Sequence, residues 1–142
     1  MKAPYSYLWP VYPGISSDEH QFVNLVNQAR QSLGLQPLTI NSRLSLAADS
    51  HSYWQDVAFG YSGLTHQPGC NGSTPGQRMS DAGYSGMYEG EVTLVSYPAA
   101  SAQQAFNMFK GSPPHWQLLT SPLFTQIGVG ASSWHWTGDL GS

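Results

Sequence analysis

Five histidines stand in a chain of 142 residues that carries only 5 Lys and Arg and 8 Asp and Glu. Imidazole titrates near neutral pH and is the commonest protein metal ligand, so each position bears on function. His51 falls on the apolar stripe of a predicted helix, where the plain alternative is a core histidine with both nitrogens hydrogen-bonded. His66 sits in a Gly- and Ser-rich loop, and His115 follows two prolines at the start of a predicted short helix, where it can simply cap or pack. His20 lies among polar residues in a first helical turn and reads as surface. His135 alternates with Trp134 and Trp136 and reads as an exposed or edge position of a strand. No two histidines have the tight spacing of a bare zinc motif. Glu89 and Glu91, two of only three glutamates, flank Gly90, which lets the backbone bend and carry one carboxylate inward. Two imidazoles and a carboxylate from separate segments suit a zinc site with an open position or acid–base work. The lone Cys70 has no helix N-terminus or basic neighbour to lower its pKa, and so makes a poor nucleophile.

The elements that must position these residues can be read from capping signals and periodicity. Ser16 and Glu19 have capping-box spacing, and Phe22, Val26, Ala29 and Leu33 then share one helical face until Gly34. Residues 35–38 read as an extended linker. Asn41 caps a second helix whose apolar stripe is Leu44, Ala47, Ala48, His51, Trp54 and Ala58, with Gly60 as its stop. After a loop over 60–73, Thr74, Pro75 and Gln77 begin a short third helix that closes at Ala82-Gly83-Tyr84. The β-branched run Val92–Ser96 is a strand or a buried connector. Ser101 and Gln104 open a fourth helix, and Ser112-Pro113 restarts a fifth. Phe124–Gly130 and Trp134–Thr137 form one strand or two adjacent ones. Helices first and short strands last imply an α+β domain with a small antiparallel sheet covered by helices.

Composition narrows the function classes. Charged residues make up 9% and the formal net charge is −3, which excludes the clustered cations of a nucleic-acid binder. No apolar run is long enough to span a bilayer. One cysteine excludes an internal disulfide and a cysteine-based zinc cluster. No signal peptide is visible after Lys2, so the chain either lost one or is cytosolic; the low charge and abundant Tyr, Trp, Gly and Pro lean toward an extracellular or cell-surface setting. Residues 1–15, with Pro4, Pro10 and Pro13, read as an extended aromatic arm ahead of a single domain over 16–141.

Taken together and in order, these segments resemble a bacterial-type SCP domain of the CAP superfamily, which contains cysteine-rich secretory proteins, antigen 5 and plant pathogenesis-related proteins. Val26–Arg30 with Gly34–Leu38 is similar to the opening helix and its exit. Leu44-x-x-Ala47-Ala48-x-x-His51-Ser52, Leu64-Thr65-His66, Gln77-Arg78 through Ala82-Gly83-Tyr84, Gly90-Glu91 and Ser112-Pro113-Pro114-His115 resemble the successive inner motifs. Phe124–Gly130 and Trp136–Gly141 resemble the closing strands.

The resemblance implies a three-layer α-β-α sandwich with a cleft. It implies that His66 and His115 are the cleft histidines, able to hold zinc or another divalent cation, and that Glu91 is the first acidic residue. The second acidic residue of eukaryotic members falls near Ser112 and is missing here. His51, Glu89, Ser112 and Trp116 are then expected to line the cleft, with Trp116 standing where relatives have an arginine. Val92 stands where the family motif has Asn. Three functions follow as alternatives. The first is a secreted module binding a divalent metal and an apolar, glycan or protein ligand. The second is a metal-dependent, peptidase-like hydrolase with Glu91 as general base. The third is a structural or adhesion domain whose histidines serve only the fold.

Overall fold

The computed structural model describes residues 14–142, so the expected aromatic arm falls, over residues 1–13, outside the described part. Helix α1 (Ser17–Ser32) starts at the anticipated capping box: Glu19 N–H donates to Ser16 Oγ at 3.1 Å and Ser16 N–H to Glu19 Oε1 at 2.8 Å. The second Glu19 oxygen accepts the Ala131 N–H at 2.7 Å, which ties the first turn of the helix to a strand far along the chain. Phe22, Val23 and Val26 are buried as the periodicity requires, but the expected stripe ends differently. Leu33 is exposed and Arg30 is buried. The Arg30 guanidinium caps four carbonyls, those of Gln36, Leu119, Ser121 and Phe124, and so holds together three chain segments that an apolar side chain could not satisfy.

Strand β1 (Thr39–Ile40) follows the linker read over 35–38, at two residues that the sequence pattern leaves unassigned. Helix α2 (Ser42–Phe59) begins where Asn41 Oδ1 accepts the Arg43 and Leu44 amides, and Gly60, at φ +59°, turns the chain out of it. Helix α3 (Pro75–Asp81) carries the Thr74–Gln77 box. The remaining elements are β2 (Glu89–Val95), α4 (Ala102–Lys110), α5 (Pro113–Leu119), β3 (Gln126–Ser132) and β4 (His135–Gly141). The glutamates at 89 and 91 therefore lie within the strand rather than in a turn before it.

The sheet runs β1-β3-β4-β2. Its three long strands are antiparallel, and the short β1 joins β3 in parallel. Alternate residues face opposite layers. Val92, Leu94, Ile127, Val129, Trp136 and Leu140 form one apolar core with Phe22, Val26, Phe106, Phe109 and Leu119 of α1, α4 and α5. The other face meets α2 and α3, giving the three layers α-β-α. Contact on that side is unusually close. A Cβ on Gly128 would lie 2.0 Å from the Leu44 carbonyl carbon, and one on Gly130 would lie 2.1 Å from Asp49 Cα. Glycine at these two alternating positions is what lets α2 rest directly on the β3 backbone.

Candidate functional site

Glu91 is the centre of the site. It projects from β2 toward α2 and α3, with only 1% of its side chain exposed. A buried carboxylate needs compensation, and Arg78 of α3 supplies it: Nη2 lies 2.9 Å from both Glu91 oxygens, while Nη1 donates to Ser73 O at 3.1 Å and Ser73 Oγ at 3.3 Å. Arg78 is itself fully buried. His66, from the loop after α2, places Nδ1 2.9 Å from Glu91 Oε1. Burial pushes the Glu91 carboxyl up, but the hydrogen bond from His66, followed by the neighbouring Asp139, His51 and Arg78, outweighs it and holds the carboxyl down at about 2.

His51 stands behind this pair on α2, with Nε2 3.8 Å from Glu91 Oε1. Its Nε2–H donates to Thr65 O at 2.7 Å, which shapes the loop carrying His66. Burial, against the pull of Glu91, lowers the His51 pKa to about 4, so the ring is neutral at physiological pH. It stacks on Trp54 at 5.9 Å. His115 approaches from α5, on the other side of the sheet edge. Its Nδ1 lies 2.8 Å from Ser112 Oγ and its ring meets Phe109 edge-on at 5.2 Å. Burial, and then the neighbouring His66, lower its pKa, and the second of these effects places the two imidazoles in each other's field.

Directly across the register from Glu91 lies Asp139 of β4, fully buried. Neither of its oxygens has a hydrogen-bond partner among the described residues. Burial first, and the facing Glu91 charge second, push its carboxyl well above the usual range. Asp139 therefore favours its protonated form beside an ionised Glu91. The next rungs are polar as well. Ser52 of α2 bonds Gly130 O and Thr137 Oγ1 at 2.8 Å each, and Gln55 reaches Thr93 Oγ1 at 3.1 Å and accepts the Thr65 N–H at 2.9 Å. His135, expected at an exposed or edge position, is instead fully buried; its Nδ1 lies 2.6 Å from Asp56 Oδ1 and its Nε2 2.7 Å from Gly63 O. Both ends of the ring are therefore bonded, and His135 anchors the loop that leads to His66.

Residues 23–134 match the family described as CAP: Cysteine-rich secretory protein family. The chain belongs to the CAP family. No curated protein sequence matches this CAP chain. Its fold aligns with an extracellular SCP-domain protein from Bacillus anthracis at TM-score 0.78 and 19% identity, over 92% of this chain and 45% of that one. An outer surface protein from Borrelia burgdorferi aligns at 0.72 and 19%, over 89% and 93% of the two chains. A cysteine-rich secretory protein from Staphylococcus aureus aligns at 0.68 and 14%, over 92% and 40%. At these identities the likeness is one of fold. This CAP chain spans less than half the length of the Bacillus and Staphylococcus proteins.

The CAP fold brings His51, His66 and Glu91 into one cluster, with His115 at its rim. A cavity of about 280 Å³ opens beside His115, lined by Leu64, Thr93, Leu94, Val95, Met108, Phe109, Ser112 and His115. Ser112 is thus at the cleft. Trp116 packs edge-on against Phe106 at 5.7 Å with Lys110 Nζ 5.8 Å from its ring, and does not line that cavity. Glu89 shares the face of Glu91 two residues away but is exposed, its carboxylate lying over Gly76. Arg78 and Asp139 are the residues that motif reading passed over. Arg78 carried a signal in being one of only five cations in the chain. Among the described residues, no group of three or more His, Cys, Asp and Glu side chains is arranged to hold a metal. The donor set on offer is two histidines. Each has Nδ1 engaged, by Glu91 or by Ser112, and Nε2 is the atom left for a metal. No helix among the described residues is long and apolar enough to cross a membrane.

Proposed function

We propose that this CAP domain is a secreted or cell-surface binding module that holds a divalent cation, zinc first, between His66 and His115, and a ligand in the adjoining cleft. The observation that carries this reading is the engagement of both Nδ1 atoms, which fixes each ring and leaves the two Nε2 atoms to meet an ion. With two protein donors the ion keeps open positions and acts there as a Lewis acid or a bridge to ligand oxygens. The ligand beside it is of an apolar, glycan or protein kind, in keeping with the mostly apolar cavity walls. Binding is favoured over hydrolysis by the state of Glu91. A general base works best with a pKa near the operating pH. Glu91, held at about 2 with its oxygens taken by Arg78 and His66, orients His66 instead. A purely structural role for the histidines is disfavoured by His66, whose side chain is 43% exposed.

Zinc titration by calorimetry at pH 7.5 tests the reading. Wild type is expected to bind one ion, and His66→Ala and His115→Ala are each expected to abolish binding. Glu91→Gln should weaken the site by about 10–100-fold, as loss of an orienting partner does. No heat from wild type at millimolar zinc, or binding that survives both alanine substitutions, overturns it.

A further inference from the structure

Among the described residues, the edge of the sheet beside the cleft is unpaired. Strand β2 is terminal in the order β1-β3-β4-β2. Antiparallel pairs alternate between residues that exchange both backbone hydrogen bonds and residues that exchange none. Ser96 N–H donates to Trp134 O at 2.8 Å, one step beyond the last β2–β4 pair, Val95 with His135. By alternation Leu94 and Val92 bond to β4, while Val95, Thr93 and Glu91 turn their N–H and C=O groups outward. None of the described residues bonds to either outward group of Val95. Thr93 is buried and Val95 half-buried, so Val95 is the accessible one.

Val95 lines the cavity next to His115, whose walls include Leu64, Met108 and Phe109. A second cavity of about 360 Å³ continues from Met108 along Ser96 and Pro98, walled by Gln104 and Asn107 of α4. The two form a groove that follows the strand edge, apolar at the histidine end and lined by amides at the other. We propose that this groove is a peptide site, in which an extended chain adds to the outer edge of β2 at Val95 and seats one apolar side chain against Leu64, Met108 and Phe109. Val95 offers one N–H and one C=O, the pair that a single residue of an added antiparallel strand exchanges. An acyl chain would leave the outward N–H and C=O of Val95 without partners, whereas a peptide backbone supplies an acceptor and a donor for them. The inference deepens the binding function proposed for the cleft and names its ligand class.

A library of capped nonapeptides, Thr at alternate positions and each residue type scanned at the others, is titrated into the 15N-labelled protein. Members with a central Leu, Ile or Phe are expected to bind more tightly than about 1 mM. They should slow exchange of the Val95 amide and lose about tenfold in affinity when the peptide groups facing Val95 are N-methylated, as loss of a hydrogen bond predicts. Met108→Glu should abolish binding without unfolding the domain, since Met108 is 44% exposed. Failure of every library member at that concentration, binding with unchanged Val95 exchange, or binding indifferent to N-methylation overturns the proposal. So does octanoate or chitotriose occupying the groove where no peptide does. Peptide titration of His66→Ala in EDTA separates this inference from the metal reading. Retained binding there, with zinc binding absent in wild type, leaves the peptide groove standing alone.

Discussion

Replacing Arg78 by Met removes the cation that sits 2.9 Å from both oxygens of a carboxylate whose side chain is 1% exposed. The remaining partner of Glu91, His66, is half open to solvent and donates one hydrogen bond. Asp139 across the register is a second acid and supplies no compensating cation. Breaking a buried ion pair from one side costs about 3–5 kcal/mol, because a charge is left without compensation. For 142 residues, an unfolding entropy of about 2.1 cal/mol/K per residue gives about 0.3 kcal/mol/K. The expected fall in Tm is therefore about 10–17 °C. Thermal unfolding followed by far-UV circular dichroism at pH 7.5, with urea unfolding as a second measure, reads it. The double variant Arg78→Met with Glu91→Met should recover a large part of the loss, since no charge is then stranded. A single-variant loss under about 1 kcal/mol, or a double variant no better than the single one, would show that Glu91 is not held by Arg78 in the way described.

Two further outcomes follow from the same face of the sheet. The His51 pKa of about 4 in the fold, against an ordinary 6.5, means that the unfolded chain binds the extra proton first. The corresponding stability is complete above pH 6.5 and is lost as pH falls toward 4. Between pH 7 and 4.5, wild type should lose roughly 2–3 kcal/mol more than His51→Gln does, measured by urea unfolding across that range. Equal slopes would refute the assigned burial of a neutral ring. Gly130→Ala forces a methyl group against the Asp49 backbone and should cost about 3 kcal/mol or more. Gly63→Ala, which meets only the Phe59 side chain at 3.7 Å, serves as the control and should stay within about 0.5 kcal/mol in the same denaturation assay.

Local signals carried much of the fold. All three capping boxes, at Ser16, Thr74 and Ser101, start helices where spacing places them. Such motifs work because four residues settle their own hydrogen bonds without help from the rest of the chain. β1 escaped because two residues in parallel pairing have no local mark; only the remote β3 defines them. Leu33 and Arg30 exchanged roles because an i+3/i+4 stripe weighs apolarity and cannot foresee that four carbonyls from other segments converge on one guanidinium. Ala58 was placed on the α2 stripe and is exposed, while Ser45, Ser52 and Gln55 are buried. In the candidate site, the motif histidines and Glu91 were legible by family resemblance, since they stand in recognisable short runs. Asp139 was not, because its meaning comes from a register 48 positions away from Glu91.

The misreadings share one cause. Sequence patterning treats a covered sheet face as apolar, and one face here obeys that rule, with Val92, Leu94, Ile127, Val129 and Trp136 meeting α1 and α4. The other face inverts it: Glu91, Asp139, Thr93, Thr137 and His135 lie sealed beneath α2. Hydrogen bonds within such a layer offset the cost of burying it, and Gly128 and Gly130 permit some of them by bringing α2 close enough for Ser52 to reach both a strand carbonyl and a strand hydroxyl. The same closeness fixes His51, which holds Thr65, and Gln55, which holds the Thr65 amide. His66, the next residue, is therefore presented to Glu91 and the cleft from a loop tied at consecutive points to a helix. The apolar face supplies most of the hydrophobic burial, and the polar face converts part of it into the orientation of one exposed imidazole.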